Sequence, residues 1–396
     1  MSTMTQAKPV FQKADRLKQL PPYLFIELDK AKRKLMAEGK DVIDLGIGDP
    51  DLPTSKEVIA RLKETVDDPA NHRYSMTEGM KVLREAIAAW YAKRFGVTLN
   101  PDTEVLPLLG SKEGIAHLPW ALTNPGDAVL VPDPCYPPYR SGTILAGAEV
   151  VPMPLLEENG FFPDLGDISQ KAIRRAKLMF LNSPNNPTSA VYSLEQLQEA
   201  LDLSKEYGFA IAHDAAYSEI AYDGVKPASF LQLPDAKDHG VEFHSLSKTY
   251  NMTGWRIGWV CGNAAIVAAL SQIKSNLDSG IFQPIQLAGI RALEAGDAAL
   301  QETIAVYQNR RDLIVNGLAK AGWNVAKPQA SLYIWTRVPT QESSMDFATR
   351  VMKQTNVVIT PGVGFGPSGE GYVRMSLTLP TDRIEEAVGR LSKSLL

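Results

Sequence analysis

Short apolar runs of β type alternate with segments of helical periodicity through the middle of the chain. Each apolar run ends where polar residues begin. This alternation predicts a mostly parallel sheet covered by helices. Ligands of such sheets bind beyond the carboxyl ends of the strands, so the polar residues there are the first candidates for function. The predicted strands are VLPLLG (105–110), AVLVPD (128–133), KLMFLN (177–182), FAIAHD (209–214) and VEFHSLSK (241–248).

The pattern changes towards both ends of the chain. Residues 40 to 55 are rich in Pro and Gly, and the C-terminal part contains further β-type runs such as ASLYIWTRV. Apolar residues at helical spacing join the two patterns between about 264 and 320. No internal repeat is present. We therefore predict an N-terminal arm with part of a small domain over residues 1–55, a large domain over 56–290 and the C-terminal part of the small domain over 291–396.

Length and charge favour a two-domain protein that binds a small molecule. The 396 residues are too many for one simple core. The chain has 41 Lys and Arg against 45 Asp and Glu, a net charge of -4. Because there is no basic surplus, nucleic acids and anionic membranes are not expected partners.

Metal sites, disulfides and membrane segments are not predicted. Cys135 and Cys261 lack a CxxC spacing, and the five histidines show no paired-ligand pattern. The first ten residues contain no apolar leader, and no apolar run is long enough to span a membrane. We expect a cytoplasmic protein.

The segment SLSKTYNMTGWRIGW, residues 245 to 259, carries the strongest local signal. Lys248 lies among small, hydroxyl and aromatic residues, and Arg256 follows eight positions later. A lysine amine attacks an aldehyde only when it is partly neutral, which desolvation or a nearby cation achieves. Ser245, Ser247 and Arg256 offer hydroxyl and guanidinium donors for a phosphate dianion. Taken alone, such a pair is more often a solvated lysine and a surface arginine.

Asp214 ends a predicted strand, where a carboxylate otherwise serves as a helix N-cap. Pyridoxal phosphate requires a carboxylate beside its pyridine nitrogen, because the ring withdraws electrons only while that nitrogen is protonated. Asp214 fits this role, and Tyr217 and Asn186 are candidates to bond the phenolic oxygen of the cofactor. Each of these residues alone is an ordinary turn or core residue.

The segment LLGSKEGIAH, residues 108 to 117, predicts a strand, a tight turn and a helix start. Backbone amides at a helix N-terminus bind phosphate, and Gly110 permits close approach beside Ser111 and Lys112. A GSK motif alone is weak evidence for a phosphate site, because many helices begin this way. Tyr136 follows the next strand and is a candidate to stack on the pyridine ring, although core packing is the commoner use of an aromatic residue.

The ordered set of GSKEG, PDPCYPPY, NSPNNPT, HDAAYSEI, SLSKTYNMTGWRIG and GYVRMS resembles the class I/II pyridoxal-phosphate-dependent aminotransferase family over nearly the whole chain. Among its branches, the chain is most similar to the LL-diaminopimelate aminotransferases, through segments such as LPPYLF and DLGIGDPDLPT. The resemblance implies the type I pyridoxal-phosphate-dependent transferase fold, with a large domain, a smaller α+β domain built from both chain ends, and a homodimer with shared active sites.

The resemblance also implies site residues. Lys248 would carry the cofactor as a Schiff base, with Asp214 at the pyridine nitrogen and Arg374 on the substrate α-carboxylate. Tyr74 would reach the phosphate of the neighbouring subunit. The remaining assignments are phosphate binding by Gly110, Ser111, Lys112, Ser245, Ser247 and Arg256, phenolic-oxygen contacts by Asn186 and Tyr217, ring stacking by Tyr136, substrate or cofactor contacts by Tyr23, Gly48 and Asn276, and further substrate contacts by Lys112, Tyr136 and Asn186.

The sequence departs from the family pattern at two places that bear on the substrate. Ser189 follows NNPT where the family commonly has Gly, and the 74–79 segment matches the branch only loosely. We expect transamination with the 2-oxoglutarate/glutamate pair and LL-diaminopimelate as amino donor, in lysine biosynthesis. The alternatives are an alanine or broad-specificity aminotransferase, a β-lyase, or a non-catalytic regulator. Few residues precede LPPYLF to form the basic domain of a regulator.

Overall fold

The computed structural model describes residues 11–20, 24–295 and 297–395. Most of the apolar runs form strands at the predicted positions, and two predicted strands end early. The strand predicted over residues 105–110 ends at Leu108, and the strand predicted over residues 241–248 ends at Ser245. The strands are β1 Ile43–Asp44, β2 Val105–Leu108, β3 Ala128–Asp133, β4 Glu149–Pro154, β5 Ala176–Asn182, β6 Ala210–Asp214, β7 Gly240–Ser245, β8 Gly258–Gly262, β9 Tyr333–Arg337, β10 Val357–Val358, β11 Thr360–Pro361 and β12 Tyr372–Ser376.

Helices connect these strands, and several begin at side-chain caps that the local sequence supplies. Ser193 and Gln196 form a capping box at one helix start, and Asn263 accepts two backbone N–H bonds at another. The helices are α1 Asp15–Lys18, α2 Leu24–Ala37, α3 Lys56–Val66, α4 Lys81–Phe95, α5 Ser111–Leu122, α6 Pro137–Ala146, α7 Gln170–Ile173, α8 Leu194–Tyr207, α9 Ala236–His239, α10 Leu246–Thr249, α11 Ala264–Leu277, α12 Gln283–Glu294, α13 Asp297–Lys320, α14 Ser344–Thr355 and α15 Thr381–Leu395.

The central sheet has seven strands in the order β2-β8-β7-β6-β5-β3-β4. The pairs from β7 to β4 are parallel, and β8 runs antiparallel to both of its neighbours. The predicted α/β fold with a mostly parallel sheet is therefore confirmed. Because β7, β6, β5 and β3 point the same way, their carboxyl ends lie along one edge of the sheet.

Side chains of the central strands alternate between two apolar cores, one on each face of the sheet. Leu178 and Phe180 of β5 lie in the core beneath α5, α6 and α11. Met179 and Leu181 of the same strand lie in the core beneath α3, α4, α8 and α12. Both faces are covered, which is why these strands read as continuous apolar runs.

A second structural unit combines the chain around β1 with the C-terminal part of the described residues. β1 pairs in parallel with β10, and β11, β12 and β9 form an antiparallel sheet. Helices α13, α14 and α15 enclose a separate apolar core with these strands. β1 thus joins the C-terminal part of the chain, and the division into residues 1–55, 56–290 and 291–396 stays a prediction.

The helices of the described residues differ from membrane-spanning helices in length or in polarity. None of the helices there is both long and apolar enough to cross a bilayer.

Candidate active site

A large cleft of about 1450 Å³ opens at the carboxyl edge of the central sheet. It lies between this edge and the unit built from the chain ends. Asn182, Asp214 and Ser245, the last residues of β5, β6 and β7, all line it. The parallel strands thus bring together polar residues that are distant in sequence, as expected for ligand sites of this kind of sheet.

Lys248 lies on the short helix α10, just beyond β7, and its side chain faces the cleft. The Nζ atom donates a hydrogen bond of 3.1 Å to the backbone oxygen of Gly48. The side chain is half-buried and makes no ion pair among the residues that the structure describes. Its ammonium group is therefore held towards the cleft and is accessible there, which differs from a solvated loop lysine.

Asp214 is buried at the end of β6, where Tyr139 of α6 and the backbone both contact its carboxylate. The hydroxyl of Tyr139 donates to Oδ2 over 2.7 Å, and the N–H of Ala216 donates to Oδ1 over 3.2 Å. Burial raises the pKa of Asp214, and the Tyr139 bond opposes that rise. A cation beside this carboxylate would compensate for its desolvation.

Arg374 of β12 is the guanidinium at the other side of the cleft, and it is buried. Nη1 donates to Oδ1 of Asn186 over 2.8 Å, and Nη2 donates to the backbone oxygen of Gly46 over 2.7 Å. The guanidinium carbon lies 4.1 Å from the ring centre of Tyr333 and 4.6 Å from that of Phe365. These contacts fix a planar donor fork, which suits a carboxylate.

Tyr217 and Tyr333 form a hydroxyl pair in the same region. Their oxygens are 2.8 Å apart, and burial raises the pKa of Tyr217 well above its ordinary value. Tyr333 also explains why residue 48 is glycine. A Cβ atom at Gly48 would come within 2.3 Å of the Tyr333 ring, so the chain can pass this tyrosine only without a side chain.

The turn before α5 brings Gly110 against Arg256. Gly110 has φ +78°, and a Cβ atom there would come within 2.3 Å of Arg256 Nη2. The guanidinium donates to the backbone oxygens of Thr253 and Leu109, at 2.8 and 3.3 Å. The helix N-terminus at Ser111 lies beside it, so backbone amides and a guanidinium face the same part of the cleft. This donor set suits a phosphate.

Most of the sequence-predicted site residues line this one cleft. Ser245 caps α10 by accepting the N–H of Ser247, which directs both side chains to the strand end. Tyr136 begins α6 next to Tyr139, with ring centres 5.7 Å apart. The predicted residues in the cleft wall are Gly48, Ser111, Lys112, Tyr136, Asn186, Asp214, Tyr217, Ser245, Ser247, Lys248, Arg256 and Arg374.

Two predicted residues in the described part of the chain, Tyr74 and Asn276, lie away from the cleft. Tyr74 is 93% exposed. Asn276 is exposed on α11 and donates to the backbone oxygen of Gln272 within its own helix, over 2.8 Å. Tyr23 lies outside the described residues. A tyrosine that serves a neighbouring subunit would be exposed in one chain, whereas nothing in this chain gives Asn276 a ligand contact.

Sequence reasoning missed three aromatic residues of the site. Tyr139 contacts Asp214, and Tyr333 and Phe365 flank Arg374. Tyr139 had a usable signal, because it follows Tyr136 by three positions at the start of a helix and therefore lies on a neighbouring face. Tyr333 and Phe365 had none, because they meet the cleft only through the packing of the second unit.

Comparison with known proteins identifies the family. Residues 40–391 match the family described as aminotransferase class I and II. The chain belongs to the class I and II aminotransferase family. LL-diaminopimelate aminotransferases from Dehalococcoides mccartyi and Desulforudis audaxviator are both 53% identical to it, over 95% and 96% of this chain and 97% of each relative. Substrate-bound BacF from Bacillus subtilis is 38% identical, with a TM-score of 0.93 over 97% of this chain and 98% of that one.

The likeness extends to further aminotransferase structures. A probable N-succinyldiaminopimelate aminotransferase from Thermus thermophilus is 36% identical, with a TM-score of 0.88 over 94% of this chain and all of that one. The predicted family and fold are therefore confirmed, and the roles of the individual cleft residues stay predictions.

Proposed function

We propose that this aminotransferase binds pyridoxal phosphate through Lys248 and transfers the amino group of LL-diaminopimelate to 2-oxoglutarate. The single observation that supports the cofactor is the sharing of one cleft by the Lys248 amine, the buried Asp214 carboxylate and the buried Arg374 fork. The substrate is supported by relatives of that name at 53% identity over nearly the full length of both chains.

The cleft residues fit the proposed cofactor at both ends. The turn at Gly110 and the guanidinium of Arg256 leave no room for a Cβ atom, and they present the donors that a phosphate needs. Asp214 is a buried carboxylate without an ion-pair partner among the described residues, which suits a pyridinium nitrogen. Asn186 and Tyr217 would face the phenolic oxygen, and Tyr136 would lie against the ring.

When bound, pyridoxal phosphate supplies an electron sink that acidifies the α C–H bond of an attached amino acid. The chain's own residues provide the rest. Asp214 keeps a negative charge beside the pyridine nitrogen. The Lys248 amine, held towards the cleft by the Gly48 oxygen, acts as the base that removes the α proton and returns it elsewhere. Arg374 holds the substrate carboxylate, and this orientation favours loss of the proton over loss of CO₂.

The proposed donor has a second ammonium and carboxylate, and the outer cleft offers cations for the latter. Lys112 lies at the start of α5, and Arg140 lies one helical turn after Tyr136 on α6. Neither forms a salt bridge in the described parts of the chain, although the charge of Arg140 opposes the rise that burial causes in the pKa of Asp133. By contrast, the Lys32 ammonium in the same wall is already paired with Asp44 over 3.0 Å. Lys112 and Arg140 are thus the available anchors for a distal carboxylate.

The homodimer belongs to the same proposal. Tyr74 is exposed, yet the chain next to it is firmly held, because the buried Gln286 side chain donates to Ser75 Oγ over 2.8 Å and accepts from the Met80 N–H over 2.7 Å. An exposed tyrosine beside a firmly held backbone suits a contact with the phosphate of a second subunit.

The covalent attachment is tested by borohydride reduction of the purified protein, followed by digestion and mass analysis. We expect the cofactor increment on the peptide that contains Lys248, and no transamination by Lys248→Ala. An increment on another peptide, or an active Lys248→Ala variant, would overturn the proposal.

The substrate is tested with LL-diaminopimelate and with alanine, each against 2-oxoglutarate, by measuring glutamate. Turnover of LL-diaminopimelate well above that of alanine supports the proposal. Turnover of alanine alone would make the chain an alanine or broad-specificity enzyme. In a third assay, pyruvate and ammonia released without an acceptor from an amino acid that carries a leaving group on its β carbon, such as cystathionine, would make it a β-lyase.

A further inference from the structure

A buried ion cluster of Glu113, Lys274 and Asp278 lies behind the turn at Gly110. Lys274 of α11 is fully buried. Its Nζ atom contacts Glu113 Oε1 at 3.0 Å, Glu113 Oε2 at 3.2 Å and Asp278 Oδ1 at 2.6 Å. A buried ammonium is costly without such partners, so this arrangement is held in one geometry.

Glu113 connects the cluster to the turn. Its Oε2 atom accepts the backbone N–H of Leu109 over 2.7 Å. The carbonyl oxygen of Leu109 in turn accepts from Arg256 Nη2 over 3.3 Å. Both backbone polar groups of Leu109 are therefore bonded, one to the cluster and one to the arginine. A continuous path of hydrogen bonds leads from Lys274 to the guanidinium.

The net charge of the cluster indicates how it can affect a bound phosphate. Two carboxylates and one ammonium give the cluster a net negative charge, which would weaken rather than strengthen a nearby phosphate site. Its contribution must therefore be geometric. The Leu109 backbone fixes where the first amides of α5 point and how the Arg256 fork is aimed, and charge-assisted hydrogen bonds depend on both.

We propose that Lys274 and Glu113 are positioning residues for the phosphate-binding end of the cleft, acting through the backbone of Leu109. The proposal rests on the proposed cofactor. Neither side chain contacts the cofactor: Lys274 locks the Glu113 carboxylate, Glu113 locks the Leu109 N–H, and the turn then holds Gly110, Ser111 and Arg256 in register.

The test compares the affinities of the apoenzyme for pyridoxal phosphate and for pyridoxal, which lacks the phosphate. Both are measured by equilibrium titration of ligand absorbance with the full chain. Lys274→Met and Glu113→Gln should weaken pyridoxal phosphate binding about tenfold or more, while pyridoxal binding changes by less than about twofold. Because the two residues act in series, the double variant should bind no more weakly than Lys274→Met.

Arg311→Met is the matched control. Arg311 is also a fully buried cation with two carboxylate partners, Asp223 and Asp312, both at 2.8 Å, and it is absent from the cleft wall. We expect it to lower thermal stability and to leave the ratio of the two affinities unchanged.

Each outcome decides between the proposals. If the variants lose pyridoxal phosphate and pyridoxal equally, or if Arg311→Met changes the ratio as much, the positioning role is wrong. If the unmodified chain itself shows no preference for the phosphorylated ligand, the proposed cofactor fails instead. Glu113→Gln is the milder change and retains the side-chain shape, so it carries the test if Lys274→Met does not fold.

Discussion

The hydroxyl of Tyr139 donates a hydrogen bond of 2.7 Å to the buried carboxylate of Asp214. Both residues are buried, and the Tyr139 ring also stacks on Phe180 of the central sheet, with ring centres 4.8 Å apart. Tyr139 therefore supports the one carboxylate that would face the pyridine nitrogen. It fixes the orientation of Asp214 and stabilises its ionised form.

Tyr139→Phe is expected to reduce the turnover number about thirtyfold, because a hydrogen bond to a buried charged group is worth about 2 kcal/mol. The pKa of Asp214 should rise further. As the pH is lowered, the variant should therefore lose activity at a higher pH than the unmodified enzyme does. The measurement is the pH profile of transamination. Tyr192→Phe is the control, since Tyr192 is also buried and donates to a backbone oxygen, of Phe161, over 3.1 Å. Equal effects of the two changes would contradict the role of Tyr139.

Gly110→Ala is expected to weaken pyridoxal phosphate binding by about tenfold or more, because the added Cβ atom would displace Arg256. Gly126→Ala is the matched control: Gly126 also has a positive φ, of +95°, but a Cβ atom there meets only open space. Both changes carry a backbone cost, of about 1 to 3 kcal/mol at Gly110, whose φ of +78° and ψ of 153° lie in a region essentially limited to glycine. Only Gly110→Ala should change cofactor affinity in an equilibrium titration, and a similar loss in both variants would sink the explanation.

Ser189 replaces the glycine that the family pattern has after NNPT, and the structure gives it a function. Although its φ is +63°, its hydroxyl lies 2.7 Å from Ser331 Oγ and donates to the Tyr333 backbone oxygen over 2.8 Å. These bonds join the loop after β5 to the start of β9. Serine at this position thus has a less favourable backbone conformation than glycine would have, but it gains two buried hydrogen bonds.

Ser189→Ala should lower the free energy of unfolding by about 1 to 3 kcal/mol, because it keeps the backbone strain and leaves Ser331 with one bond fewer. Ser189→Gly should cost less, because glycine relieves the positive φ. Urea unfolding of the three proteins measures both effects. Should the alanine variant be the more stable of the two, this account of Ser189 is wrong.

His244 makes stability depend on pH. It is buried, stacks on Trp259 and lies 2.7 Å by Nε2 from Ser218 Oγ, while its Nδ1 accepts the Ser245 N–H over 3.0 Å. Burial lowers the pKa of His244 to about 4, from an ordinary value of 6.5. The nearby Glu242 opposes this shift. The folded state therefore holds this histidine neutral.

Since the unfolded chain binds the proton first, this contribution to stability is complete above pH 6.5 and is lost as the pH falls towards 4. The loss for this group is about 3 kcal/mol. His244→Gln should be less stable than the unmodified protein at pH 8, but its unfolding free energy should fall less between pH 7 and pH 5. Parallel pH dependences of the two proteins in urea unfolding would contradict the assignment.

Local sequence pattern was enough to predict the strands that build the carboxyl edge of the sheet. β3, β5 and β6 appear where the apolar runs are, and Asp214 and Lys248 lie at or just beyond strand ends as expected. β4 and β8 were not predicted. β4 is partly exposed at the sheet edge, and its two prolines interrupt the apolar run. β8 begins at the end of the SLSKTYNMTGWRIGW motif, residues 245 to 259, and a glycine at each end of this short strand hides the strand period.

The sequence by itself determined the family, the alternation of strands and helices in the large domain, and the chemical types of the site residues, because each of these follows from short segments. Only the tertiary structure decided which side chains meet. Asn186 and Arg374 are bonded although 188 positions separate them, and Tyr217 meets Tyr333 across 116 positions. These contacts depend on how the second unit packs on the sheet edge. That packing consists of buried contacts between distant segments. The hydrophobic period within any one segment does not show which other segment it will contact.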